Sequence, residues 1–173
     1  MMRHYIIKKG RHYSKRGIRL HWGKIYGKYL FNFDKTCLYE KRDDGDFDLN
    51  KLLGWSYGWH QKNSIRIGWR PGAVAGFAEA GKIELFFYMY NKGHRLSGQL
   101  AEVSAERWYI MEIEVLEFYK VAAFTLRTAD GGLICKTSET FVVPGFVPGY
   151  ELYPYFGGNN TAPHDMKIEL GGV

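Results

Sequence analysis

His60, Asn63, Ser64, Arg66 and Arg70 fall within eleven residues of one another in WSYGWHQKNSIRIGWR, residues 55–70. A guanidinium beside an imidazole is what β-elimination of an acidic polysaccharide requires. The arginine neutralises a uronate carboxylate and acidifies the adjacent C–H, and a histidine or tyrosine removes that proton. For that chemistry the candidates are His60, Arg66 and Tyr88, with Tyr90, Tyr153 and Tyr155 as further tyrosines. The same residues also suit binding without catalysis. His60, Asn63, Arg66 and Arg70 would supply charge and hydrogen bonds, while Tyr88, Tyr90, Tyr153 and Tyr155 offer platforms for sugar rings. The bland alternative is a hairpin whose polar face is a satisfied structural pair.

Strands must position these groups. Ile65, Ile67 and Trp69 alternate with Ser64, Arg66, Gly68 and Arg70. Ile83, Leu85, Phe87 and Met89 alternate with Glu84, Phe86, Tyr88 and Tyr90, and the pattern recurs over 109–115 and 166–170. Period-two alternation marks a strand with one buried face. Asp43-Asp44-Gly45, Pro71-Gly72, Asn91-Lys92-Gly93, Asp130-Gly131-Gly132, Pro144-Gly145, Pro148-Gly149 and Gly157-Gly158 supply turns between strands. Only Asp48–Leu53 and Val74–Ala80 read as short helices. The pattern predicts an all-β, antiparallel two-sheet β-sandwich of jelly-roll kind. Within it, a three-residue loop at 61–63 would set His60 opposite Ser64 and Gly58 opposite Arg66. Trp55, Tyr57, Trp59, Ile65, Ile67 and Trp69 would then form the other face. A two-residue loop would instead lay Arg66 on Trp59, a cation–π contact of structural value.

The last third carries a resemblance. RWYIMEIEVLEFYKVAAFTLRTADGGLICKTSET reads as strand, strand, turn, strand, and GYELYPYFGGNNTAPHDMKIEL follows it. Over roughly residues 105 to 170 this resembles the closing strands of concanavalin A-like lectin/glucanase sandwiches. KKGRHYS and DLNKLLGWSYGWHQKNSIRIGWR resemble uncharacterised proteins of Bacteroidetes and their phages, to which no activity attaches. Lectins, glycoside hydrolases, polysaccharide lyases and structural modules share this sandwich, so the resemblance implies a concave sheet face where glycans lie and no single activity. Retaining glycosidases of the fold carry carboxylates at alternate strand positions, and Glu112, Glu114 and, through a bulge, Glu117 imitate that arrangement. Here Glu114 replaces the usual Asp and no tryptophan-rich run follows, so these acids read as solvent-facing.

Asp44, Asp46 and Asp48, with Asp43, are hard-oxygen candidates for calcium, but they lack EF-hand spacing and lie beside Lys41 and Arg42. No metal site and no cofactor are expected, and no Cys/His zinc pattern or phosphate-cradling glycine loop is present. Cys37 and Cys135 read as small hydrophobes, with a bridge between them left open. The net charge of +6 is concentrated. Residues 1–33 hold nine Lys/Arg and no acid, whereas the remaining 15 basic residues face 18 acidic ones. Tyr5, Tyr13, Trp22, Tyr26 and Tyr29 interleave with these bases, which suits an anionic glycan or a phosphate backbone, or merely an edge blunted by charge. The domain reading is a basic, aromatic segment over 1–29, packed on or pairing with a sandwich over 30–173. No membrane span and no apolar leader are read, so a cytoplasmic or virion-associated protein is expected. Non-catalytic glycan binding leads the functional expectations. A structural or decoration role in a phage particle and a polysaccharide lyase follow. The partner is a glycan or a protein assembly, with nucleic acid not favoured and a homo-oligomer left open.

Overall fold

The computed structural model describes residues 2–14, 17–40, 48–72, 81–145 and 147–173. Its strands are β1 (Met2–Ile7), β2 (Leu20–Trp22), β3 (Tyr26–Phe33), β4 (Asn50–Ser56), β5 (Ser64–Pro71) and β6 (Lys82–Asn91). They continue as β7 (His94–Ser104), β8 (Trp108–Leu116), β9 (Val121–Thr128), β10 (Leu133–Thr140), β11 (Pro148–Leu152) and β12 (Met166–Gly172). Two six-stranded sheets result, in the orders β1-β12-β3-β8-β9-β10 and β2-β11-β4-β5-β6-β7. Every pairing is antiparallel. The fold is the expected two-sheet sandwich of the concanavalin A-like, jelly-roll kind. The basic residues 1–33 give β1 and β3 to the first sheet, on either side of β12, and β2 to the second, along β11.

The alternating residues pack between the sheets as the pattern requires. Ile65, Ile67, Trp69, Ile83, Leu85 and Met89 from one sheet and Met111, Ile113, Phe124, Met166 and Ile168 from the other are all buried. Trp69 meets Phe33 across the layers at 5.0 Å between ring centroids, and Phe87 stacks on Phe124 at 5.7 Å. Each large apolar side chain so buried contributes roughly 1.5–3 kcal/mol. The buried amide of Asn50 is satisfied, donating to Tyr39 Oη at 2.8 Å and accepting from the Gly157 N–H at 2.8 Å. Cys37 is buried, Cys135 is half-buried, and both are free.

Three local expectations need correction. Asp48–Leu53 is not helical: β4 begins at Asn50. Its alternation is broken by a bulge, because Lys51 pairs with Gly68 and Leu53 with Ile67, leaving Leu52 as the extra residue. The β4–β5 connection is neither two nor three residues long. Ser56 pairs with Ser64, so residues 57–63 form the loop, closed by the Tyr57 N–H donating to the Asn63 carbonyl at 2.9 Å. Trp55 and Tyr57 are core, as expected, but Trp59 lies on that loop, 62% exposed and stacked on His60. The helical reading of Val74–Ala80 lies outside the described residues. Among the described residues no helix is long and apolar enough to cross a membrane.

Candidate functional site: a cationic, tyrosine-walled cleft

The register of the second sheet decides which side chains share its outer face. Arg66 stands opposite Gly54 on β4, not opposite Gly58, and opposite Tyr88 on β6. Gly54 has a φ of +151°, and a Cβ there would lie 2.1 Å from the Ile65 carbonyl oxygen, so only glycine allows β4 and β5 to run this close beneath the arginine. Because of the Leu52 bulge, Lys51 joins the same face, where its ammonium lies 4.5 Å from the Tyr88 ring centroid. Tyr90 follows two residues along β6, edge-to-face with Tyr88 at 5.9 Å.

The 57–63 loop brings His60 over this floor. The Gly58 N–H donates to the Pro148 carbonyl at 2.9 Å, and the Gly93 N–H to the Lys62 carbonyl at 2.9 Å, so the loop is tied to β11 and to the β6–β7 turn. His60 Nδ1 is hydrogen-bonded to Tyr150 Oη at 2.6 Å. Tyr155 forms the opposite wall, bridged by backbone to Lys51 and Tyr13 and stacked against His12 at 5.5 Å. Together these residues enclose a cleft of about 630 Å³, the size of ordinary small-ligand sites.

The cleft's charge is unusual. Arg66 is only 9% exposed, its Nε has no hydrogen-bond partner, and among the described residues no carboxylate lies within ion-pairing distance. Burial lowers its pKa, and the surrounding phenols of Tyr88, Tyr150, Tyr90 and Tyr155 partly offset that. Burial, then the charge of Arg66, push Lys51 down to about 8, against the opposing pull of Asp48. The same two causes lower His60 below the ordinary histidine value, which keeps its ring neutral at pH 7. Burial and the neighbouring Tyr90 push Tyr88 up to about 12, with Arg95 opposing, so Tyr88 is a poor base. A buried arginine without a carboxylate is costly to hold. An anionic ligand would supply what it lacks.

Of the residues singled out from sequence, His60, Arg66, Tyr88, Tyr90, Tyr153 and Tyr155 all line this cleft. Asn63 and Arg70 do not. Asn63 Oδ1 accepts from the Lys92 N–H at 3.1 Å. Arg70 pairs with Glu84 at 2.5 Å and lies over the Phe86 ring at 4.9 Å. Lys51 and Tyr150 were not foreseen. Gly54 inside the strand pattern is a bulge signal that could have moved Lys51 to the polar face, but nothing local marks Tyr150. Asp48 is exposed, near Lys51, while Asp44 and Asp46 lie outside the described residues. Glu112 and Glu114 are on the outer face of the other sheet. β8 runs without a bulge, and Glu117 falls in the turn after it. Glu112 is paired with Lys28 at 3.0 Å and lies 3.9 Å from Arg127.

No family model and no curated protein sequence matches the chain. Solved structures match its fold. An alginate lyase from Chlorella virus superposes with a TM-score of 0.54 at 12% identity, covering 98% of this chain and 81% of that one. A protein of unknown function from Saccharomyces cerevisiae gives 0.53 at 8% identity, over 89% of this chain and 69% of that one. Alginate lyase A1-II′, a member of polysaccharide lyase family 7, gives 0.50 at 11% identity over 86% and 60%. At these identities the likeness establishes the sandwich and leaves the activity to the site.

Proposed function

We propose that the protein binds an acidic, carboxylate-bearing glycan in the cleft over β11, β4, β5 and β6. The observation that carries this reading is Arg66, a buried guanidinium with an unpartnered Nε and no described carboxylate within ion-pairing distance, on the floor of a tyrosine-walled cleft whose one lining carboxylate, Glu151, pairs with Lys24 instead. A uronate carboxylate offers the planar, two-oxygen partner that a guanidinium binds best. Lys51 adds a second cation, and Tyr88, Tyr90, Tyr150 and Tyr155 supply faces for sugar rings and hydroxyls for their oxygens. That two matching folds are described as alginate lyases supports an acidic saccharide over a neutral one. Calorimetric titration with oligouronates and with neutral oligosaccharides of equal length tests the reading. The oligouronates should bind and Arg66→Met should weaken them about 30-fold, the ~2 kcal/mol typical of a charge-assisted hydrogen bond. Equal affinity for neutral sugars, or an unaffected Arg66→Met, would overturn it.

The His60–Tyr150 pair favours a second reading, elimination on the bound uronate. Arg66 would hold the carboxylate, neutral His60 would take the adjacent proton, and the Tyr150 hydroxyl would protonate the departing glycosidic oxygen. Ultraviolet absorbance from an unsaturated product on alginate or polygalacturonate, abolished by His60→Ala, is the expected sign. Binding without such absorbance would leave the non-catalytic reading.

A further inference from the structure

No described Lys or Arg of residues 1–33 lines the Arg66 cleft. Arg3, Arg19, Lys24 and Lys28 line a second cleft of about 380 Å³, where β1, β3 and β12 of one sheet face β4 and β11 of the other. A single carboxylate, Glu151, lines it with them and also borders the Arg66 cleft. Lys24 pairs with Glu151 at 2.9 Å and donates to Tyr29 Oη at 2.8 Å, and Arg19 approaches the same carboxylate at 3.7 Å, so two cations share one acid. Lys28 shares Glu112 with Arg127. Arg3 has no ion-pair partner among the described residues. Each group therefore carries more positive than negative charge. Lys24 is held between the Tyr29 and Trp55 rings at 5.3 and 5.0 Å, which fixes one cation in place at the base of the cleft. Gly27, Gly54, Gly171 and Gly172 leave parts of the wall without side chains, between Tyr5, Tyr29 and Tyr153.

We propose that this end cleft is a second anion site, separate from Arg66, that takes a tetrahedral oxyanion ester on a sugar, a sulfate or a phosphate. Several surplus cations around one compact space match a group with three terminal oxygens and more than one donor to accept from, better than a planar carboxylate. The volume exceeds that of the oxyanion alone and leaves room for the sugar ring that bears it. Four of the nine bases of residues 1–33 meet here, Arg3 from β1, Arg19 and Lys24 from either side of β2, and Lys28 from β3.

The test is a titration of ¹⁵N-labelled protein with glucose 6-sulfate, glucose 6-phosphate and unmodified glucose, followed by amide shifts. Saturable shifts at Arg3, Gly27 and Gly172 with either ester and none with glucose are expected, and the stronger of the two esters identifies the source. Arg3→Ala combined with Arg19→Ala should weaken binding at least tenfold, and Glu151→Gln, which removes the competing carboxylate, should tighten it several-fold. Arg66→Met should leave these shifts unchanged, so this site can fail or stand independently of the oligouronate reading. No saturable shift, shifts centred on Arg66 and Tyr88, or a double variant that binds like the parent would each overturn the proposal.

Discussion

Glu112 and Arg66 hold comparable places in the sequence pattern, each a charged residue on the outward phase of a strand, and the molecule treats them in opposite ways. Glu112 lies on the outer face of the β3–β8–β9 region, partly in water, with Lys28 and Arg127 beside it. Arg66 lies on the outer face of the other sheet, but the 57–63 loop, β11 and the 153–158 segment cover that face, and no described carboxylate, Glu151 of the cleft lining included, lies within ion-pairing distance of it. The first arrangement is what a soluble surface does with charge at little cost or gain. The second raises the energy of the unliganded protein and lowers it again only when an anion enters. An outward-facing charge is informative when tertiary structure has removed both its water and its counter-ion.

The largest expected effect concerns the geometry beneath Arg66. Gly54→Ala forces a Cβ to within 2.1 Å of the Ile65 carbonyl oxygen at a φ of +151°, and should cost about 2–4 kcal/mol in denaturant unfolding. A cost under about 0.5 kcal/mol would show that β4 and β5 are not held this close. Next, Arg66→Met should weaken oligouronate binding about 30-fold and, in the absence of ligand, raise stability by about 1–2 kcal/mol, since it removes an unpaired buried charge. A destabilised variant would mean that Arg66 is structurally satisfied, and the contrast with Glu112 would collapse.

Lys51 gives a smaller, pH-dependent effect. Its folded pKa of about 8 lies below the ordinary lysine value of 10.5. Between those values the unfolded chain binds more protons than the folded one, so this group's penalty is full below pH 8 and fades as pH rises to 10.5. Comparison of parent and Lys51→Met across that window should show the parent gaining stability relative to the variant as pH rises. Affinity for an oligouronate should fall over the same range, because the charge that attracts it is lost. A parent and variant with parallel pH profiles would place Lys51 in water. The smallest effect is expected at Glu112→Gln, under about 0.5 kcal/mol and reduced further by salt. A loss of 2 kcal/mol or more there would make the Glu112 cluster an organised network instead of a solvated pair.

The sequence by itself determined the sandwich and much of its core, and turns such as Asn91-Lys92-Gly93 and Asp130-Gly131-Gly132, whereas Pro148-Gly149, expected as a turn, opens strand β11, and Asp43-Asp44-Gly45 lies outside the described residues. Alternation in SIRIGWR, IELFFYMY and YIMEIEV specifies which side of each strand is buried, and that information is local because the strand period is two. It also placed Arg66, Tyr88 and Tyr90 together on one outward phase. Tertiary structure decided what the phase could not. A single extra residue, Leu52, shifts everything before it to the other face, so Lys51 enters the cleft though simple alternation would bury it. A seven-residue loop replaces the tight hairpin, moving Arg66 from Gly58 to Gly54 and lifting His60 off the sheet toward Tyr150, ninety residues away in the chain. Arg70, two positions beyond Gly68 on the same phase, is withdrawn by Glu84. Whether an outward arginine meets water, an acid or an empty cleft depends on which distant strand lies over it. That is a long-range pairing choice, which no residue's neighbours in sequence encode.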